Sequence, residues 1–194
     1  MEMKDSRLIK GAEGIVICNG NIILGMQKEK RWYSLENGER AAIIKTIGGE
    51  LEREDSNNSR KTIIREFFEE IKGIEEKDIR VSSNPIFTKK INIGDLNPFE
   101  KKSKLDMEAD FYLLEILTKK QIEPNDLPVL LKIPLQDFMK LEFNKKEGTD
   151  KIRNFIINNK EIKYSLPEYY SLMIPKEVKA FIKRIKENEE EFER

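Results

Sequence analysis

The chain has 194 residues, enough for one well-buried domain with length left for a terminal extension. Charged residues make up 37% and hydrophobic residues 38%, and 36 Lys and Arg balance 36 Asp and Glu. No global positive field exists to gather nucleic acid or anionic lipid, and the absence of histidine, with a single cysteine (Cys18), excludes Ser-His and Cys-His catalysis, histidine-ligated zinc and an internal disulfide.

No apolar run approaches the roughly 18 residues that span a bilayer. Residues 1–10 are polar and carry no apolar signal segment, so the sequence reads as a cytoplasmic protein without a membrane partner. Residues 12–18 and 21–28 are predicted as two strands around Asn19-Gly20, a strong hairpin-turn pair. Cys18 falls in the first, as a buried small residue. Residues 29–40 read as a surface loop with Trp32 and Tyr33, and 41–49 as a short apolar strand ending in Gly48-Gly49. Asp55 to Ser59 supply cap chemistry for a helix over about 60–72, with Gly73 as its stop. Strands follow over 79–92, 106–116 and 127–133, with a loop over 94–103. Helices are predicted over 134–143, 151–158 and 175–190. The mixture points to an α/β (α+β) sandwich, with residues 1–145 as the main domain and 146–194 as a helical extension packed on it.

The helix around Ile63 to Ile71 carries the most information. At about 100° per residue, Ile63, Ile64, Phe67, Phe68 and Ile71 fall within roughly 140°, while Glu66, Glu69 and Glu70 fill a separate arc of roughly 100°. One face is core; the adjacent face is a carboxylate patch. Like charges at i, i+3 and i+4 repel, disfavour the helix and raise carboxylate pKa values. Binding of Mg²⁺ or Mn²⁺ would relieve that repulsion, since hard cations take oxygen ligands. A solvated acidic face on an amphipathic helix accounts for the same pattern. The preceding Gly48-Gly49-Glu50-Leu51-Glu52 adds paired glycines, which let backbone approach a ligand and leave a carbonyl free to coordinate.

Together, Gly49, Asp55, Arg65, Glu66, Glu69 and Glu70 resemble the Nudix box of the MutT-like Nudix hydrolases. The family pattern is Gly, five residues, Glu, seven residues, then Arg-Glu-apolar-any-Glu-Glu-any-Gly-apolar. Arg65-Glu66-Phe67-Phe68-Glu69-Glu70 matches its most specific half in full. Three departures stand out: Asp55 replaces Glu, nine residues rather than seven separate Asp55 from Arg65, and Gly73 comes one residue late. The resemblance covers about residues 8–145 and implies a Nudix-type α/β/α sandwich with a mixed sheet.

It also implies roles. Glu66, Glu69 and Glu70 would bind catalytic metal, joined by the Gly48 carbonyl. Arg65 would orient a carboxylate through a salt bridge, with Asp55 close by. The implied activity is metal-dependent hydrolysis of a diphosphate linkage in a nucleoside diphosphate joined to another moiety, on a small-molecule nucleotide substrate.

The proton acceptor stays open. Asp106, Glu108 and Asp110 alternate on a predicted strand and share a face, with Glu108 favoured as a catalytic base against an exposed polar strand edge. Trp32, Tyr33 and Phe87 are candidates for stacking on a base, against ordinary packing. The Ser-Gln-Pro-Trp-Pro-Phe-Pro run of NADH pyrophosphatases is absent, as are the tyrosine of dinucleoside-polyphosphate hydrolases and the proline of ADP-ribose pyrophosphatases at their usual spacing, so the sequence leaves the nucleotide open. Two other classes compete: a Nudix-fold binding or sensor module without turnover, and an interaction protein using residues 151–194, with the apolar stretch Pro167 to Met173, as a homodimer or docking surface.

Overall fold

The computed structural model describes residues 8–92, 106–143, 145–157 and 166–192, with side chains to 187. The loop expected over 94–103 lies outside the described residues.

β1 (Leu8–Cys18) and β2 (Asn21–Met26) form the predicted hairpin. Its turn residues Asn19 and Gly20 have φ of 49° and 70°, the two left-handed positions that match the twist of the flanking strands. A 3₁₀ turn, Glu29–Arg31, leads into β3 (Tyr33–Ser34), which pairs with β4 (Arg40–Lys45). The strand expected over 41–49 is in fact two. β4 pairs with β2 through Ile44 and Lys45, the chain changes partner at Thr46, and β5 (Ile47–Glu50) runs antiparallel on β1.

α1 (Ser59–Glu70) begins at an Asn58 cap whose side chain accepts from the backbone N–H of Arg60 and Lys61. It ends three residues before the predicted stop at Gly73. Ile71 is already extended (φ −128°, ψ 134°), because β6 (Ile71–Lys72) pairs with β10 (Glu123–Pro124). Gly73 turns the chain after that strand instead of capping the helix, at φ 96° and with its missing Cβ facing the Gln121 carbonyl at 2.4 Å. The strand predicted over 79–92 is split into β7 (Ile79–Val81) and β8 (Phe87–Asn92) around Pro85, which has no N–H for a ladder. β9 (Asp106–Ile116) matches the predicted strand residue for residue. β11 (Val129–Pro134) leads into α2 (Leu135–Phe138), a single turn where a longer helix was expected. Then come β12 (Glu147–Gly148), the short α3 (Asp150–Arg153), β13 (Tyr169–Leu172) and α4 (Lys176–Phe192).

Among the described residues the main sheet has 11 strands and is mixed. β1 and β9 run parallel in unbroken register from Leu8↔Asp106 to Cys18↔Ile116; β13 runs parallel to β4; the other pairs are antiparallel. Alternating side chains divide the core between two faces. One face carries Ile15, Leu24 and Phe111 and packs with Phe138, Val178 and Ile182. The other carries Val16, Tyr112 and Leu114 and packs with Ile63 and Phe67 of α1, while Cys18 is buried there. The result is a helix, sheet, helix sandwich. No helix among the described residues is long and apolar enough to cross a membrane.

The segment beyond residue 145 was expected to be helical. It also contributes β13, which covers one edge of β4 from Tyr169↔Ala41 to Leu172↔Ile44. Tyr170, Leu172, Ile174, Val178 and Ile182 are all fully buried. At about 1.5–3 kcal/mol per large apolar side chain, their burial contributes on the order of 10 kcal/mol, comparable with the whole stability of a domain. A chain ending at residue 145 is therefore expected to be insoluble or to lack a cooperative thermal transition by circular dichroism, and a sharp transition like that of the full chain would contradict this account.

Candidate active site

The site forms where the partner switch at Thr46 meets α1. Gly48 sits opposite Glu13 of β1 and Gly49 opposite Ala12. Gly48 has φ 150°, and a Cβ there would lie 2.2 Å from the Ala12 carbonyl oxygen. A Cβ on Gly49 would lie 2.5 Å from the Glu66 carboxylate. The glycine pair thus lets the β5 backbone lie against β1 on one side and a glutamate of α1 on the other.

Arg65 is the hub of the loop before the helix. Its Nε and Nη2 donate to Asp55 Oδ1 and Oδ2 at 3.2 and 3.0 Å, and Nη2 also donates to the Glu50 carbonyl at 3.2 Å. Nη1 donates to Glu66 at 2.9 Å and to both oxygens of Glu69 at 3.1 and 3.2 Å. Asp55 is buried and also accepts from Thr62 Oγ1 and the Glu52 backbone N–H, each at 2.9 Å. The Arg65 hydrogen bonds dominate over burial and hold its carboxyl down at about 2. The two extra residues between Asp55 and Arg65 are absorbed in the loop, where Ser56 and Asn57 take left-handed φ of 54° and 60° before the Asn58 cap.

The three box glutamates lie on the predicted face but in graded environments. Glu69 is half exposed, with 53% of its side-chain surface accessible, Glu66 has 14%, and Glu70 has 10%. Glu70 Oε2 accepts from the Gly48 N–H at 3.2 Å, and its Oε1 lies 3.2 Å from Lys45 Nζ. Lys45 Nζ also donates to the Gly48 carbonyl. Burial raises the pKa of Glu66, and raises that of Glu70 to about 7, in each case against the lowering effect of nearby cations. Glu13, whose Oε2 accepts from Thr46 Oγ1 at 2.6 Å, is likewise raised by burial. Burial alone would lower Lys45; the carboxylates of Glu13 and Glu70 outweigh it and raise the ammonium.

All these donors are oxygens, a set that suits a hard dication. Among the described residues, however, no three carboxylates are gathered at one point. Arg65 draws Glu66 and Glu69 to itself, and Lys45 draws Glu70 and the Gly48 carbonyl.

Two hollows meet here. An apolar cavity of about 280 Å³ is walled by Tyr33, Ile43, Ile91, Met107, Phe111 and Met173. A polar cleft of about 420 Å³ has Lys28, Lys30 and Arg31 on one side and Glu50, Glu66 and Glu70 on the other. Lys45, Gly48 and Gly49 line both. Of the aromatic candidates, only Tyr33 reaches the cavity. Trp32 is packed in the core with its indole N–H on the Gln27 carbonyl at 2.7 Å, and Phe87 stacks on Phe111 at 4.6 Å between ring centres. Phe111 and Lys45 were not among the sequence candidates. A lone lysine between Ala41-Ala42-Ile43-Ile44 and the paired glycines was the available signal for Lys45.

Glu108 lies on β9 between Lys10 of β1 and Lys90 of β8, so its strand is interior to the sheet and not an edge. It shares the α1 side with Asp110 and Tyr112, which hold Ser59 Oγ at 2.6 and 2.8 Å, while Met107 and Phe111 face the cavity. It lines neither the cavity nor the cleft.

No family model and no curated protein matches the chain. Solved structures do. The E. coli dihydroneopterin triphosphate pyrophosphohydrolase is 10% identical, with a TM-score of 0.49 over 68% of this chain and 84% of that one. The MutT protein from Methanosarcina mazei Go1 is 11% identical, with 0.48 over 72% and 86%. A NUDIX family hydrolase from Clostridium perfringens is 13% identical, with 0.47 over 69% and 85%.

Depressing the Asp55 carboxyl from 3.8 to about 2 corresponds to about 2 kcal/mol of stability. That stability is complete above the unfolded value and is lost as pH falls through the folded one. Asp55→Asn is therefore expected to cost about 2 kcal/mol in urea unfolding at pH 7, with the gap to wild type closing between about pH 4 and pH 2. A gap independent of pH would disprove the ion pair as its source.

Proposed function

We propose that this chain is a divalent-metal-dependent hydrolase that cleaves the diphosphate linkage of a nucleoside diphosphate joined to another moiety. The observation that supports it best is the meeting of an apolar cavity and a polar, bipolar cleft at Gly48-Gly49. A nucleotide has the matching division: a flat apolar base and a densely anionic diphosphate. Tyr33 offers aromatic surface to the base, against a wall backed by the buried Phe111. Lys28, Lys30 and Arg31 offer positive charge to the phosphates.

In this reading Glu66 and Glu69 hold Mg²⁺ or Mn²⁺, while Glu70 and the Gly48 carbonyl, which the box motif also assigns to metal, are engaged by Lys45. When bound, the ion would neutralise phosphate charge and lower the pKa of a water. Arg65 is a positioning residue. Its fork on Asp55 fixes the guanidinium, which in turn sets the rotamers of Glu66 and Glu69. Glu69, the most exposed of the three, is the one best placed to change partner when a cation enters.

One observation favours a second reading, a nucleotide-binding module without turnover: Lys45 already occupies Glu70 and the Gly48 carbonyl. Product release from a panel of nucleotide sugars, ADP-ribose, dinucleotides and nucleoside triphosphates, with and without Mg²⁺ or Mn²⁺, decides between them. Metal-dependent turnover that falls roughly a thousandfold in Glu69→Gln supports the hydrolase. Tight nucleotide binding with no turnover across the panel supports the binding module. Glu108 is proposed as the proton acceptor; since it lines neither hollow, it would act through an intervening water. Glu108→Gln should lower kcat by roughly 10²–10⁴ with KM little changed, and unchanged kcat would remove Glu108 from the mechanism.

A further inference from the structure

Taking the cleft as the phosphate site proposed above, we propose that the Lys45 ammonium stands in for one divalent cation and offers a fixed positive charge to the substrate's phosphate at the junction of cavity and cleft. Three observations carry this. Lys45 Nζ bonds the Gly48 carbonyl and lies 3.2 Å from Glu70 Oε1, two of the oxygens the box motif assigns to metal. The opposite oxygen of Glu70 is held by the Gly48 N–H at 3.2 Å, so the carboxylate is already aimed and balanced without an added ion. Finally, Lys45 has 16% of its side-chain surface accessible and lines both hollows, so the charge is held in place yet open to a ligand.

The backbone explains why the lysine points there. β4 ends at Lys45 and the chain turns onto β1 at Thr46, which brings the Gly48 carbonyl within reach of a side chain three residues earlier. A dication held by the same two oxygens would have to share them with the ammonium, and two such like charges in one site repel by several times thermal energy even at a high effective dielectric. Lys45 and a metal ion at that position exclude each other. The metal capacity of the site is thereby confined to the Glu66 and Glu69 side, where the competing cation is Arg65.

The test is Mn²⁺ binding to the full chain, by titration calorimetry and by the paramagnetic resonance signal of free Mn²⁺. Lys45→Met should bind one more Mn²⁺ per chain than wild type, or bind it roughly tenfold or more tightly. Lys45→Arg, which keeps the charge, should behave as wild type. Because Lys45→Met leaves Glu13 and Glu70 without their cation, the double variant Glu13→Gln/Lys45→Met is measured beside it, with circular dichroism as the folding check. ADP binding in EDTA should weaken roughly tenfold in both methionine variants. Equal Mn²⁺ number and affinity in wild type and a folded methionine variant would overturn the proposal. It can fail separately from the hydrolase reading: wild-type turnover with unchanged Mn²⁺ uptake defeats the lysine's role alone, whereas gained Mn²⁺ uptake without turnover on any nucleotide defeats the hydrolase alone.

Discussion

The site depends on how three like charges on one turn and a half of helix are balanced. Glu66, Glu69 and Glu70 crowd one side of α1, and two carboxylates at about 4 Å repel by about 4 kcal/mol at an effective dielectric of 20. Two cations from different parts of the chain relieve this. Arg65 comes from the helix itself and spreads one guanidinium over Glu66 and Glu69. Lys45 comes from the end of β4 and takes Glu70. Each cation also ties the helix to a loop or strand, so charge balance and tertiary geometry are the same set of contacts.

That coupling explains how the loop between Asp55 and Arg65 is held against the helix. Left-handed backbone at Ser56 and Asn57 costs roughly 1–2 kcal/mol per residue, less for asparagine. The cost is offset by the two-pronged Arg65–Asp55 pair, the Thr62 hydroxyl on the same carboxylate and the Asn58 cap. The 3₁₀ turn Arg53–Asp55 carries Asp55 inward to the guanidinium, so a short acid reaches it.

Local patterns were legible from the sequence, and long-range pairings were not. The hairpin at Asn19-Gly20, the amphipathic face of α1 and the span of β9 follow from turn chemistry and periodicity. The end of α1 does not, because β10, some fifty residues later in the chain, pulls Ile71 and Lys72 into a strand. β13 was equally hidden. Tyr169 to Leu172 has no alternation of its own, and its partner β4 lies far away in sequence. Of the candidate site, the residue types and the helix face were readable. The pairing of Lys45 with Glu70 was not, since it arises from a partner switch at Thr46 that leaves no mark beyond one lysine in an apolar run.

The parallel register of β1 and β9 sets the remaining division of labour. Because Gly11 faces Ala109 and Glu13 faces Phe111, side chains at odd positions of both strands share one face. Met107 and Phe111 then wall the cavity, while Asp110 and Tyr112 fasten Ser59 at the start of α1 on the opposite face. A shift of one residue would exchange these sets, placing carboxylates in the cavity and apolar side chains against the helix N-terminus. Gly48 and Gly49 lie where the cavity and the cleft adjoin. There the backbone carries charge contacts from Glu70 on the helix side to Lys45 and Glu13 on the cavity side. With Lys45, Arg31 and Glu50, the glycine pair lines both hollows, so a ligand seated there meets the apolar and the charged halves of the site together.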